Sequence, residues 1–214
     1  MSVIFIISGP SGSGKSRLVE LLLRTVSGMD FSVSYTTRQP RGSERNGRDY
    51  FFVSRVEFEH MASADEFLEY ADVFGNGYGT ARRFLTQAKD KGHDLLVDVD
   101  VQGASQLKEH VPDTVSIFVM PPDHKELESR LRNRGLDAED VIQSRLERSS
   151  PEDHYNKYDY VLVNKRLEDS ADQLREIVIS ERKRSSRQVR TVDTPSRTAF
   201  FRVARELTLS GLHL

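Results

Sequence analysis

The chain has 214 residues, 37% of them hydrophobic and 30% charged, enough apolar material for a packed core under a wet surface and too much for wholesale disorder. Lys plus Arg number 31 against 33 Asp plus Glu, a formal charge of -2, so no global field draws the protein to nucleic acid or a membrane surface and any basic site is local. Without cysteine there is no disulfide, thiolate nucleophile or cysteine-held zinc, and the six histidines show no ligand spacing.

Residues 3–7 are a continuous apolar, β-branched run that reads as a strand buried on both faces. The run has no basic flank and is too short for a signal peptide, and no stretch nears the ~18 apolar residues of a membrane span. The expectation is a soluble, cytoplasmic protein, with a homo-oligomer left open. Leu18, Leu21, Leu22 and Val26 fall at helical spacing over 17–26. Residues 30–53 read as short strands broken by Pro40-Arg41-Gly42 and Asn46-Gly47, a small antiparallel excursion. Ser54 and Glu57 form a capping box for a short helix to 61. Residues 67–74 alternate as a strand, Gly75-Asn76-Gly77-Tyr78-Gly79 reads as a glycine-rich turn, and Thr80 as the cap of a helix to about 91.

An α/β rhythm follows. Strands are expected at 94–100, 115–120 and 158–163, and helices at 102–110, 137–149 and 167–188. Asp123 with Glu126 is a second capping box, opening a helix to 133. Alternating strands and helices predict an α/β fold with a parallel sheet flanked by helices. Its core comprises 1–29, 81–123 and 156–190, with a small inserted lobe at 30–80 and a helical lid at 124–155. The basic run Arg182, Lys183, Arg184, Arg187 and Arg190 reads as the exposed end of the last helix, where cations suit the dipole. The 191–214 tail has no assigned role.

Gly9-Pro10-Ser11-Gly12-Ser13-Gly14-Lys15-Ser16 fits G-x-x-x-x-G-K-S/T at every defined position, between a buried strand and an amphipathic helix. Such a loop turns backbone N–H groups toward phosphate oxygens at a helix N-terminus. Lys15 adds a charge and the Ser16 hydroxyl is placed for Mg²⁺. A purine nucleoside triphosphate is the expected ligand. The loop alone leaves the phosphoryl acceptor open.

Arg38 and Arg41, three apart beside a turn, can clamp one phosphate with two guanidinium forks, and the Tyr50 and Tyr78 phenols can donate to it. A solvated hairpin for the two arginines and packing of Tyr50 under the lobe are the plainer alternatives. Asp98 and Asp100 sit two apart on the expected strand and so share a face. There they could hold hydrated Mg²⁺, contact an acceptor, or both. Arg130, Arg134 and Arg145 fall on the lid, where closure could bring cations to a transferring phosphoryl group.

These segments are collinear with a known family. The phosphate loop, Ser34-Tyr35-Thr36-Thr37-Arg38-Gln39-Pro40-Arg41-Gly42, Gly47-Arg48-Asp49-Tyr50-Phe51-Phe52, Glu69-Tyr70-Ala71 and Gly75 to Thr80 resemble guanylate kinase over about residues 3–188. So do Asp98-Val99-Asp100-Val101-Gln102-Gly103-Ala104 and the Arg130, Arg134, Arg145 series. The resemblance implies Mg²⁺-dependent transfer from ATP to GMP, and also to dGMP, with neither nucleic acid nor membrane as partner. It assigns the GMP phosphate to Arg38, Arg41, Tyr50 and Tyr78, and the guanine to Ser34, Glu69 and Thr80. Asp98 falls near the GMP base, and Asp100 near metal and phosphates with Ser16. Arg134 and Arg145 match the lid arginines. Arg130 and Asn164 fall near ATP, although Lys165-Arg166 replaces the acids that follow this Asn in the family. Two rivals remain. A related kinase of sugar phosphates, such as a ribose bisphosphate kinase, would not need the Ser34, Glu69, Thr80 set. A non-catalytic interaction domain of the same fold would have lost phosphate-loop residues, and Lys15 and Ser16 are intact.

Overall fold

A computed structural model of the chain describes residues 2–73, 75–111, 113–134, 139, 142–143, 146 and 155–184. Five strands, β1 (Ile4–Ser8), β2 (Met29–Ser32), β7 (Asp94–Asp98), β8 (Thr114–Met120) and β9 (Tyr160–Val163), form one sheet in the order β2-β7-β1-β8-β9. All its pairings are parallel, which bears out the expected α/β class.

The two faces of this sheet follow from the period of two along a strand. In β1 the odd positions Phe5 and Ile7 pack with Leu18, Val19 and Leu22 of α1 (Lys15–Thr25) and with Leu174 and Val178 of α6 (Leu167–Arg182). The even positions Ile4 and Ile6 pack with Ala88 of α3 (Arg82–Lys91) and with Ala104 and Leu107 of α4 (Val101–His110). A strand covered on both faces has no solvent side, which is why β1 reads as unbroken apolar sequence. Among the described residues no helix is long and apolar enough to cross a membrane.

A second sheet holds β3 (Tyr35–Thr36), β4 (Phe51–Phe52), β5 (Phe67–Val73) and β6 (Asn76–Ala81), ordered β4-β3-β6-β5. Its core of Tyr35, Phe58, Met61, Phe67 and Ala81 is closed by α2 (Arg55–Ser63). The excursion is not wholly antiparallel, because β3 and β4 run parallel. Nor does it begin at residue 30, since β2 pairs with β7 in the large sheet.

Three local expectations are corrected. The glycine-rich turn is strand β6, in which a Cβ on Gly77 or Gly79 would lie 2.9 Å from the Phe58 or Phe67 ring. These glycines let two aromatic rings press onto the strand backbone. Thr80 therefore lies in β6, and Ala81 precedes α3 without a side-chain cap. The strand expected at 94–100 ends at Asp98, and Asp100 caps α4 by accepting the Gly103 N–H at 2.9 Å. Both capping boxes are borne out at their first residue. Ser54 accepts from the Glu57 N–H, and Asp123 accepts from the Glu126 N–H in α5 (His124–Arg134). The helix expected at 137–149 and the 191–214 tail fall mostly or wholly outside the described residues.

Candidate active site

The chain leaves β1 at Ser8 and re-enters regular structure at Lys15, so the glycine loop lies at the carboxyl edge of the central strand. Open parallel sheets bind ligands at this edge. Two loop glycines are fixed by geometry. Gly9 has φ 138° and a Cβ there would lie 2.0 Å from the Val119 carbonyl oxygen. Gly14, the residue before α1, has φ 94° and a Cβ there would lie 2.3 Å from Asn164 Nδ2.

The loop is braced from behind. Asn164, buried just past β9, donates from Nδ2 to the Ser13 carbonyl at 2.8 Å. Arg130 donates to the same carbonyl at 3.5 Å and to the Asn164 carbonyl at 3.1 Å, while its Nε meets Glu126 at 2.8 Å. Leu127 and Leu131 stand over Gly12, each 3.1 Å from where a Cβ would be. Asn164 and Arg130, expected as ATP contacts, thus hold the loop's shape through Ser13. Lys15 Nζ donates to the carbonyls of Gly9 (2.8 Å) and Pro10 (3.2 Å), so its charge lies across the loop. Ser16 is exposed on the first turn of α1.

A second basic cluster forms where the small sheet faces the core. Arg38, 9% exposed, follows β3. Its Nη1 and Nη2 meet Glu44 Oε2 and Oε1 at 2.7 Å each, and Nη1 also donates to the Gln39 carbonyl at 2.8 Å. The guanidinium lies 4.8 Å over the Tyr50 ring, and Tyr50 meets Tyr78 edge-on at 6.0 Å. The Arg41 backbone N–H joins the cluster by donating to Glu44 Oε2 at 2.8 Å. The Glu44 hydrogen bonds raise the Arg38 pKa. Burial pushes Glu44 up, but the bonds from Arg38 and the Arg41 amide outweigh it and leave that carboxyl below its ordinary value.

Asp98, the last residue of β7, is the register partner of Ile7 on β1. Burial pushes its carboxyl up, and the Lys15 ammonium opposes the rise. Burial, reinforced by the Asp98 charge, pushes the Tyr50 phenol up to about 12. One carboxylate therefore acts electrostatically on both the loop lysine and the second cluster.

Glu69 on β5 and Thr80 on β6 are register partners, both buried. The Thr80 hydroxyl donates to Glu69 Oε1 at 2.6 Å. Burial pushes the Glu69 pKa to about 7, with the Thr80 hydrogen bond opposing and the Asp100 charge adding to the rise. Ser34 directly precedes Tyr35, which pairs with Gly79, so it neighbours Thr80 across the sheet. A Cβ on Gly103 would come within 2.5 Å of Glu69 Oε2. Asp100 does not share a strand face with Asp98, because its Oδ1 serves the Gly103 N–H.

Among the described residues no three His, Cys, Asp or Glu side chains gather into a metal cage. The nearby oxygen donors, the Ser16 hydroxyl and the Asp98 and Asp100 carboxylates, suit Mg²⁺, which keeps waters and relies on substrate phosphates. Arg134 is the last residue of α5. Its side chain and all of Arg145 lie outside the described residues.

Sequence reasoning overlooked Glu44, although a lone acid among Arg38, Arg41, Arg45 and Arg48 is a readable signal. It also overlooked the supporting role of Gly103, which no local pattern marks.

A glycine loop joining a buried strand to a helix, set beside a second cationic cluster on an inserted sheet, defines a P-loop phosphotransferase. A guanylate kinase family model matches residues 1–181. The chain is 56% identical over 191 residues to a guanylate kinase of Koribacter versatilis, covering 87% of this chain and 82% of that one. It is 47% identical over 188 residues to a guanylate kinase of Escherichia coli K12, covering 86% and 91%. The crystal structure of guanylate kinase from Anaplasma phagocytophilum superposes with a TM-score of 0.70 at 38% identity, covering 87% of this chain and 89% of that one. The chain belongs to the guanylate kinase family.

Proposed function

We propose that this enzyme transfers the γ-phosphoryl group of ATP to GMP, and also to dGMP, giving ADP and GDP in the cytoplasm. The observation that carries the reading is the buried Glu69–Thr80 couple beside the Arg38, Tyr50, Tyr78 cluster. Guanine offers adjacent N1–H and N2–H₂ donors that one carboxylate accepts together, and Ser34 and Thr80 can complete its edge. AMP has no N2 amine and would leave the buried Glu69 carboxylate unmatched, a penalty worth roughly 10⁴-fold in discrimination. A sugar-phosphate acceptor would make no use of that carboxylate.

The acceptor phosphate has a second pKa of ~6, so it is largely dianionic at neutral pH and needs no general base. Catalysis then rests on positioning and charge neutralisation. The loop from Gly9 to Ser16 cradles the ATP phosphates, with Lys15 on the bridging oxygens. Arg38, Arg41, Tyr50 and Tyr78 hold the GMP phosphate, and Asp98 lies toward the acceptor. Ser16 and Asp100 would hold Mg²⁺, which when bound neutralises charge on the transferring group. The small-sheet lobe, from β3 to β6, carries the acceptor, and a lid at 124–155 would bring Arg134 and Arg145 over the phosphates and exclude water. The test is ADP release from ATP and Mg²⁺ with GMP, dGMP, AMP, CMP, UMP or ribose bisphosphate as acceptor. Turnover confined to GMP and dGMP is expected. Equal rates with AMP, or none with GMP, would refute the reading.

A further inference from the structure

Arg38 has five N–H donors, and the contacts it makes leave a definite pair of them. Glu44 takes one hydrogen of Nη1 and one of Nη2, both at 2.7 Å. The Gln39 carbonyl takes the other Nη1 hydrogen at 2.8 Å. The Tyr50 ring lies under the guanidinium, its centroid 4.8 Å from the central carbon, with the Phe52 ring 5.6 Å away. Nε–H and the second Nη2 hydrogen remain, and among the described residues neither has a partner. In a planar guanidinium these two lie parallel along one edge, the spacing that two oxygens of one phosphate accept.

We infer that Glu44 is a positioning residue for the acceptor phosphate: it grips the end of Arg38 so that the Nε/Nη2 edge faces the incoming phosphate. The inference rests on the reading of Arg38 as a GMP-phosphate ligand. Glu44 does more than hold one arginine, because its Oε2 also accepts the Arg41 backbone N–H at 2.8 Å and so fixes the turn carrying the second arginine. It also neutralises a cation that is only 9% exposed and would otherwise stand unpaired near Arg41.

The opposite role is a latch, in which Glu44 occupies the phosphate's place and must be expelled. The geometry argues against it. The edge suited to phosphate carries no partner among the described residues while Glu44 is bound, so a phosphate can be taken there without breaking the two charge-assisted bonds. The two roles predict opposite signs.

The experiment measures calorimetric Kd values for GMP and for guanosine, and KM values for GMP and ATP, in the parent, Glu44→Gln and Glu44→Asp enzymes. Glu44→Gln is expected to weaken GMP roughly tenfold or more, as loss of a charged hydrogen-bond pair implies. Guanosine affinity and ATP KM should stay within about twofold of the parent, because base reading and the glycine loop are untouched. Glu44→Asp, which keeps the charge on a shorter stem, should fall between and provides the measurement if the Gln variant does not fold. Unchanged or tighter GMP binding overturns the inference, and so does equal weakening of GMP and guanosine, which would mark general loosening of the lobe. A parent enzyme that fails to bind GMP overturns the underlying reading instead.

Discussion

Protonation of Glu69 should make GMP affinity depend steeply on pH, and the magnitude can be worked out. Burial holds this carboxyl at about 7 in the unliganded protein. Only the carboxylate can accept from both guanine donors, so GMP binds the ionised form and releases the residual proton. The apparent Kd carries the factor 1 + 10^(pKa − pH), about 11 at pH 6 and about 1.1 at pH 8, so Glu69 alone weakens GMP about tenfold on acidification. The GMP phosphate, with its second pKa of ~6, adds about twofold in the same direction, for about twentyfold in total. Titration calorimetry at pH 6, 7 and 8 in buffers of different ionisation enthalpy reads both the affinity and the proton release. Glu69→Gln supplies the control: its affinity is lower throughout, but only the phosphate's twofold dependence should survive. The same shift affects stability. A carboxyl raised in the folded state keeps its proton there while the unfolded chain loses it. Unliganded stability should therefore fall between about pH 4.5 and 7, by about 3 kcal/mol in all. Parent and Glu69→Gln enzymes with the same pH slope for GMP, or GMP binding that tightens on acidification, would refute the reasoning.

Two further outcomes are expected. Lys15→Ala should lower kcat by about a hundredfold or more while GMP affinity stays within about twofold, because the lysine acts on the donor phosphates; steady-state rates with calorimetry decide this, and a fully active variant would refute the loop's role. Gly103→Ala introduces a Cβ 2.5 Å from Glu69 Oε2 and 3.2 Å from the Val99 Cβ, so Glu69 must move. It should raise the GMP KM about tenfold with the ATP KM unchanged, and an unaltered GMP KM would show that the contact has no bearing on guanine.

The residues that sequence reading located well are those whose physics is local. The glycine loop is a contiguous pattern, β1 is a continuous apolar run, and Ser54 and Asp123 each cap a helix through an N–H three residues on. The misreadings came where distant residues decide the outcome. Gly77 and Gly79 look like a turn until Phe58 and Phe67, from α2 and β5, are seen filling the space a side chain would need. Asp100 looked like a strand residue because the helix it caps begins at the next position. The brace behind the glycine loop was equally out of reach, because the Asn164–Ser13 contact joins positions 151 apart in sequence. The grouping of Arg38, Arg41, Tyr50 and Tyr78 was chemically reasonable beforehand, but Glu44, which organises the arginines, emerged only from the folded turn.

The position of Asp98 has a thermodynamic consequence. Its charge interacts with Lys15 on one side and with Tyr50 on the other. If the two nucleotides bind as proposed, an anion arriving in either pocket shifts the potential at this side chain and, through it, at the other pocket. In a closed cycle of binding steps, whatever free energy the triphosphate lends to capture of the monophosphate must be returned in equal measure when the order is reversed.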